Sequence, residues 1–221
     1  MRGLTSAANN VFTYGTAGVA TATTGSSVGI LGQTYSANGT AGLFANVAGG
    51  NILLGGIGQP EKTVFRVDGT GRVYADGGFQ ASGADFAEAM AVKGSRTSYV
   101  AGDLLVIDPS ANRRLSLAQQ PYSTLVAGIY STKPGMLASN HGLNEPVANN
   151  EVPLGVVGVV PCKVSAENGP IIVGDLLVTS TTPGHAMKGT DRNRMLGAVV
   201  GKALEPLPRG TGVIQVLVTL Q

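Results

Sequence analysis

Tryptophan is absent from this chain of 221 residues, and aromatic residues make up only 5% of it. A ring platform on which sugars could stack therefore has little to be built from. The single cysteine, Cys162, excludes an internal disulfide, and its apolar run VVGVVPCKV reads as a site for a buried, inert thiol. Histidine is equally scarce. His141 sits in a polar loop and His185 follows the Pro183-Gly184 turn signal, with no short ligand spacing to each other or to Cys162. Neither a metal nor a cofactor is expected. No run approaches the roughly 18 apolar residues needed to cross a bilayer, and the opening MRGLTSAANNVFTYG lacks the apolar core of a secretory signal. Formal charge is only +2, with Lys and Arg scattered along the chain, so no electrostatic footprint for nucleic acid or an anionic membrane is present.

Charge is missing most completely between Gly3 and Pro60, where no Asp, Glu, Lys or Arg occurs. Gly, Ala, Ser, Thr and Asn fill this stretch, and apolar residues recur in TAGVA (Thr16 to Ala20), SVGIL (Ser27 to Leu31) and TAGLF (Thr40 to Phe44). These repeats suit strands separated by glycine turns, each hiding its apolar residue against a neighbouring unit or another chain. A flexible Gly/Ser linker is the alternative, but regularly placed Val, Ile, Leu and Phe are out of place in a solvated coil. Collagen is excluded because glycine does not fall at every third position. One copy offers little core, so several copies wound about a common axis bury these side chains best; a homotrimer is the usual solution in fibres built this way, and the sequence itself does not count the chains. The repeats begin in midstream, which leaves open whether Met1 is the natural start.

KTVFRVDGTGRVYADGG follows, with alternating runs on either side of Asp68-Gly69, a hairpin signal. Val64, Arg66 and Asp68 face one way and Phe65 and Val67 the other. ADFAEAMAVK then runs without a breaker and predicts a short helix, with Ser82 near its amino end and Asp85 three residues on. Ser82, Asp85 and Glu88 are the candidate catalytic residues of the chain, because a hydroxyl beside carboxylates is the minimum for attack on a neighbouring peptide bond. The same three residues also read as a helix cap, a dipole partner and a solvated carboxylate.

From Tyr99 onward the pattern is of strands. AGDLLVID and VGDLLVTS are near copies, their Gly-Asp pairs at Gly102-Asp103 and Gly174-Asp175, and each is followed by a second apolar strand, LVAGIY and MLGAVVGKAL. This predicts a duplicated β-unit, to which VPLGVVGVVPCKV and GVIQVLVTL add further strands. The Gly-Asp pairs read as turns; calcium ligation by Asp103 and Asp175 is the weaker alternative. GAVVGK (Gly197 to Lys202) is not a phosphate loop, since it has one residue too few between its glycines and no Ser or Thr after its lysine.

Taken in order, GADFAE, GDLLVID, VPLGVVGVVPCKV, GDLLVTSTTPGHAMK and LGAVVGKALEPL resemble the peptidase G2 family, the intramolecular chaperone and autocleavage domain at the ends of phage neck appendages and related bacterial fibre-like proteins. The resemblance covers Gly83 to Gln221. It implies a virion appendage or bacterial surface location, a domain that brings three chains into register, and in some members a single self-cleavage near the acidic motif. Composition and resemblance together predict a mainly β protein in three parts. These are a Gly-rich repeat stalk over 1–60, a hairpin and short-helix connector over 61–94, and a compact antiparallel β-domain with internal duplication over 95–221. The expected partners are sister copies and a larger phage or cell-surface assembly. A self-processing peptidase and a receptor- or glycan-binding tip are the competing functions.

Overall fold

The computed structural model describes residues 18–21, 24–58, 60–141 and 150–219. The opening residues 1–15 and the first two residues of the TAGVA repeat lie outside these. The chain divides into two units, 1–79 and 80–221.

The first unit contains a three-stranded antiparallel sheet of β1 (Leu53–Ile57), β2 (Lys62–Val67) and β3 (Val73–Ala75), in that order. The β2–β3 hairpin forms where Asp68-Gly69 predicts it. Its turn is organised by the Asp68 carboxylate, which accepts from the Thr70 hydroxyl at 2.7 Å and the Thr70 amide at 2.9 Å. These bonds, the hydroxyl's first, hold the Asp68 carboxyl at about 2. On β2, the Arg66 guanidinium lies 4.0 Å above the Tyr74 ring.

Upstream, the described residues of the repeats form none of the expected strands. Among the described residues 18–51, the only backbone–backbone hydrogen bonds are turn closures, from Gly39 to Ser36 and from Gly49 to Asn46. A strand needs a partner to receive its ladder bonds, and one copy supplies none here. Two repeat glycines nevertheless meet: a Cβ on Gly29 would stand 2.8 Å from the Gly18 carbonyl oxygen, so these segments pass closer than any side chain allows.

Among its described residues the second unit holds ten strands: β4 (Asp85–Val92), β5 (Leu104–Ile107), β6 (Arg114–Leu117), β7 (Val126–Tyr130), β8 (Met136–Ala138), β9 (Glu151–Ser165), β10 (Leu176–Thr179), β11 (Ala186–Lys188), β12 (Val199–Ala203) and β13 (Thr211–Val218). They form one sheet in the order β11-β10-β12-β13-β9-β7-β5-β6-β4-β8, closed further by β11–β9 and β9–β4. Pairing is mainly antiparallel, with β4 parallel to β6 and β8, and β11 parallel to β9. The long β9 is the spine: Glu151 to Gly158 pair with β4 and Gly158 to Ser165 pair with β13. Gly158 is the pivot, with φ +114 and its Cα hydrogens facing the Asp85 backbone.

The short helix expected over ADFAEAMAVK is the strand β4. Ala, Glu and Met favour helix weakly, by a few tenths of a kcal/mol per residue. Ladders to β9, β6 and β8 and burial of Ala87 and Val92 outweigh that preference.

The duplication holds at the level of single hydrogen bonds. Gly102 and Gly174 have φ +91 and +90, and the following aspartates each accept from the amide three residues back, Val100 at 2.8 Å and Ile172 at 2.9 Å. Both Gly-Asp turns then close on the end of a second strand: Gly102 donates to Tyr130 and Gly174 to Ala203, each at 2.8 Å. The β5–β7 ladder shifts register at Leu105/Val106, and the β10–β12 ladder at Leu177/Val178, the matching step. Apolar side chains from both repeats and from β9 and β13 share one core, including Leu104, Ile129, Val160, Leu177, Val200 and Ile214.

Candidate functional site

The candidate residues at the head of the second unit are arranged by β4. Because side chains alternate along a strand, Asp85 and Glu88, three apart, leave on opposite faces. A helix would have placed them together; the strand separates them. Glu88 pairs with Arg113 at 3.1 Å on a half-exposed surface. Asp85 points inward and is only 7% exposed.

Its carboxylate is half satisfied. Oδ1 accepts from the Ser131 hydroxyl at 3.0 Å, whereas buried Oδ2 has no hydrogen-bond partner among the described residues. A buried acceptor without a donor is costly, by about 1 to 3 kcal/mol, and is uncommon outside functional sites. The backbone around it is tight. Gly135 donates to the Asp85 carbonyl at 2.8 Å, and Val159 donates to that of Ala84 at 3.3 Å. A Cβ at Gly155 would stand 3.1 Å from Oδ2. Ser82 is exposed and shares with Asp85 a cleft of ≈ 220 Å³ whose other walls include Lys133, Pro161 and Gln215. Lys133 was not singled out from the sequence, and no spacing motif links it to Ser82.

The other candidates resolve into structural roles. Cys162 is fully buried in the core, and loss of solvation pushes its thiol up to about 12, so it carries no thiolate at neutral pH. His185 Nδ1 donates to the Pro183 carbonyl at 2.8 Å within its turn, and His141 Nε2 meets the Glu151 carboxylate at 2.8 Å. Asp103 and Asp175 do not form a joint calcium site: each is engaged by its own lysine, Lys163 at 2.6 Å and Lys188 at 3.0 Å. GAVVGK lies largely within β12. Among the described residues, no group of three or more His, Cys, Asp or Glu is placed to hold a metal ion. Among them too, no helix is long and apolar enough to cross a membrane.

No family model matches the chain, the peptidase G2 family included, and no curated protein matches it. In fold it is similar to the pre-mature bacteriophage phi29 gene product 12, with a TM-score of 0.50 at 14% identity over 71% of this chain. That match takes in 24% of the gene product 12 chain, so the present chain corresponds to about a quarter of it. The head fibre gp8.5 N base of bacteriophage phi29 matches at a TM-score of 0.33 and 15% identity, over 59% of this chain and 91% of that one. At these identities the first likeness concerns the fold, and the second carries no argument.

Proposed function

We propose that the chain is a structural component of a phage-type fibre or appendage, in which three copies associate through the second unit and the Gly-rich leader folds against its sisters. The observation that carries this reading is the exposure of the leader's apolar side chains: Val28 is 71% exposed, Ile30 70%, Leu43 87% and Phe44 64%. A succession of uncovered Val, Ile, Leu and Phe without intervening charge marks an interaction surface. Register is the difficulty for such a leader, since slipped alignments of glycine-rich repeats bury nearly the same residues. A compact unit that assembles first raises the local concentration of the leaders and aligns them. The fold likeness to a bacteriophage gene product supports the phage setting. Sedimentation or light scattering on the full chain tests the assembly. The expected mass is three times that of the 22.3 kDa chain, and a folded, soluble single copy would refute it.

A second reading, a single self-cleavage at Ala81-Ser82, is favoured by one observation: Asp85, whose buried Oδ2 is unpartnered among the described residues, lines the same cleft as Ser82. The Ser82 hydroxyl oxygen would add to the Ala81 carbonyl carbon, pass its proton to the departing Ser82 nitrogen through Asp85, and leave an ester for water to hydrolyse. Glu88 has no part in it. Intact-mass measurement after expression is expected, on this reading, to give a fragment beginning at Ser82 that disappears in Ser82→Ala and Asp85→Asn and persists in Glu88→Gln. A single full-length mass removes the reading.

A further inference from the structure

The two repeats differ in one respect that their shared framework makes visible. In the first repeat, the turn that ends at His185 is seated on the strand edge: Leu104 donates to the Gly184 carbonyl and Gly184 donates to the Ala118 carbonyl, both at 2.8 Å. Beneath that turn Gly102, Asp103, Leu104 and Ala118 are all buried. In the second repeat the matching positions are Gly174, Asp175, Leu176 and Gly189. Gly174 is exposed and the other three are only partly covered. They line an open groove of ≈ 840 Å³, rimmed by Met195 and by Leu196, which is 89% exposed. Gly189 donates to the Leu176 carbonyl just as Ala118 does to that of Leu104, so the receiving edge is preformed.

The matching turn also exists on this chain. Ser180 donates to the His185 carbonyl across the seated turn, and Asp108 donates to that of Arg114 across its counterpart in the first repeat. Gly184 has φ +71, and Arg113, at the same place before the return strand, has φ +51. Left-handed backbone is uncommon at a non-glycine residue and marks the two turns as the same device. Yet among the described residues this turn is not seated on a strand edge as the Gly184 turn is; Arg113 reaches the Glu88 carboxylate at 3.1 Å instead. Arg113 is exposed, and Ile107 at its base is 49% exposed where its counterpart Thr179 is fully buried.

We infer that the open groove of the second repeat receives the Ile107–Arg113 turn of a second copy, repeating between chains the contact made within one. The charges suit it. A Cβ at Gly184 would stand 2.9 Å from the Asp103 carboxylate, so an arginine at that place displaces the counterpart carboxylate, Asp175, which is partly exposed and pairs with Arg113 once Arg113 leaves Glu88. Lys188, which stands where the first repeat has Leu117, already pairs with Asp175 and has the side-chain length to turn aside. Because groove and turn are different surfaces, the contact is head-to-tail, and each copy offers one of each, which is what a closed ring of copies requires. This interface rests on the reading of the chain as a multi-chain assembly and names the surfaces that make it.

The test uses full-length chains carrying one new cysteine each, Ile107→Cys or Leu196→Cys, both at exposed positions, with Cys162 buried and unreactive. Co-expressed and treated with a short bismaleimide, the two variants are expected to give a covalent dimer linking position 107 of one chain to 196 of the other. Either variant alone should give none. Leu196→Glu is expected to raise the concentration at which the assembly dissociates at least tenfold. An assembly of the expected mass that yields no 107–196 link, or whose dissociation Leu196→Glu leaves unchanged, overturns this interface while leaving the multi-chain reading intact. A single-copy wild type overturns both.

Discussion

Replacing Ile30, Leu43 and Phe44 together by serine is expected to abolish protease resistance in the leader and to lower the stability of the assembled protein by roughly 5 to 9 kcal/mol per chain. The size of the effect decides between two descriptions of the leader. In one copy these side chains are 70%, 87% and 64% exposed. If they remained so, polar substitutions would be nearly silent, within about 0.5 kcal/mol. If sister chains cover them, each loses about 1.5 to 3 kcal/mol of burial. Limited proteolysis followed by mass spectrometry, with thermal unfolding of the full chain, separates the two outcomes. Equal cleavage of wild type and variant within 18–57 would show that nothing covers the leader. The second unit should stay folded in either case, since its core includes none of these residues.

What could be read from the sequence follows the range of the interactions involved. Gly-Asp turns announce themselves locally, because glycine supplies the positive φ and the aspartate bonds an amide three residues away. The repeats GDLLVID and GDLLVTS therefore led directly to β5 and β10, and the hairpin around Asp68 to β2 and β3. The strands β6, β8 and β11 are only three or four residues long, too short for alternation to emerge. β4 misled for a different reason: Ala, Glu and Met prefer a helix locally, while the strand state is imposed by β9, some 65 residues further on. That single misreading also joined Glu88 to Asp85 on one face. Ser82 and Asp85, close in the sequence, line one cleft, but the unpartnered buried oxygen depends on Ser131 and on the glycines of β9. No local pattern encodes it. The leader presents the reverse case, in which Val, Ile and Leu recur along the sequence but no strand forms among the described residues 18–51.

Lys163→Met is expected to destabilise the second unit by about 3 to 5 kcal/mol, lowering its midpoint of thermal unfolding by about 10 °C or more. Lys188→Met should cost less than half as much. The two lysines occupy comparable roles, each paired to the aspartate of a Gly-Asp turn, so the contrast isolates burial. Asp103 is 4% exposed, accepts from the Val100 amide through one oxygen, and depends on Lys163 Nζ, 2.6 Å away, at the other. The lysines are similarly exposed, 26% for Lys163, so the difference lies with the carboxylates: removing the Lys163 ammonium strands one whose side chain is only 5% exposed beneath the Gly184 turn. Asp175 faces the open groove, with its side chain 14% and that of Lys188 29% exposed, and solvent takes over part of the lysine's work. Methionine keeps the length of the aliphatic stem, so packing changes little in either variant. Calorimetry with both substitutions placed in the Leu196→Glu background gives the cleanest comparison, because a turn seated in the groove would bury Asp175 as well. Equal losses for the two substitutions would mean that the Gly184 turn does not shield Asp103, and the difference drawn between the filled and open edges of the two repeats would fail with it.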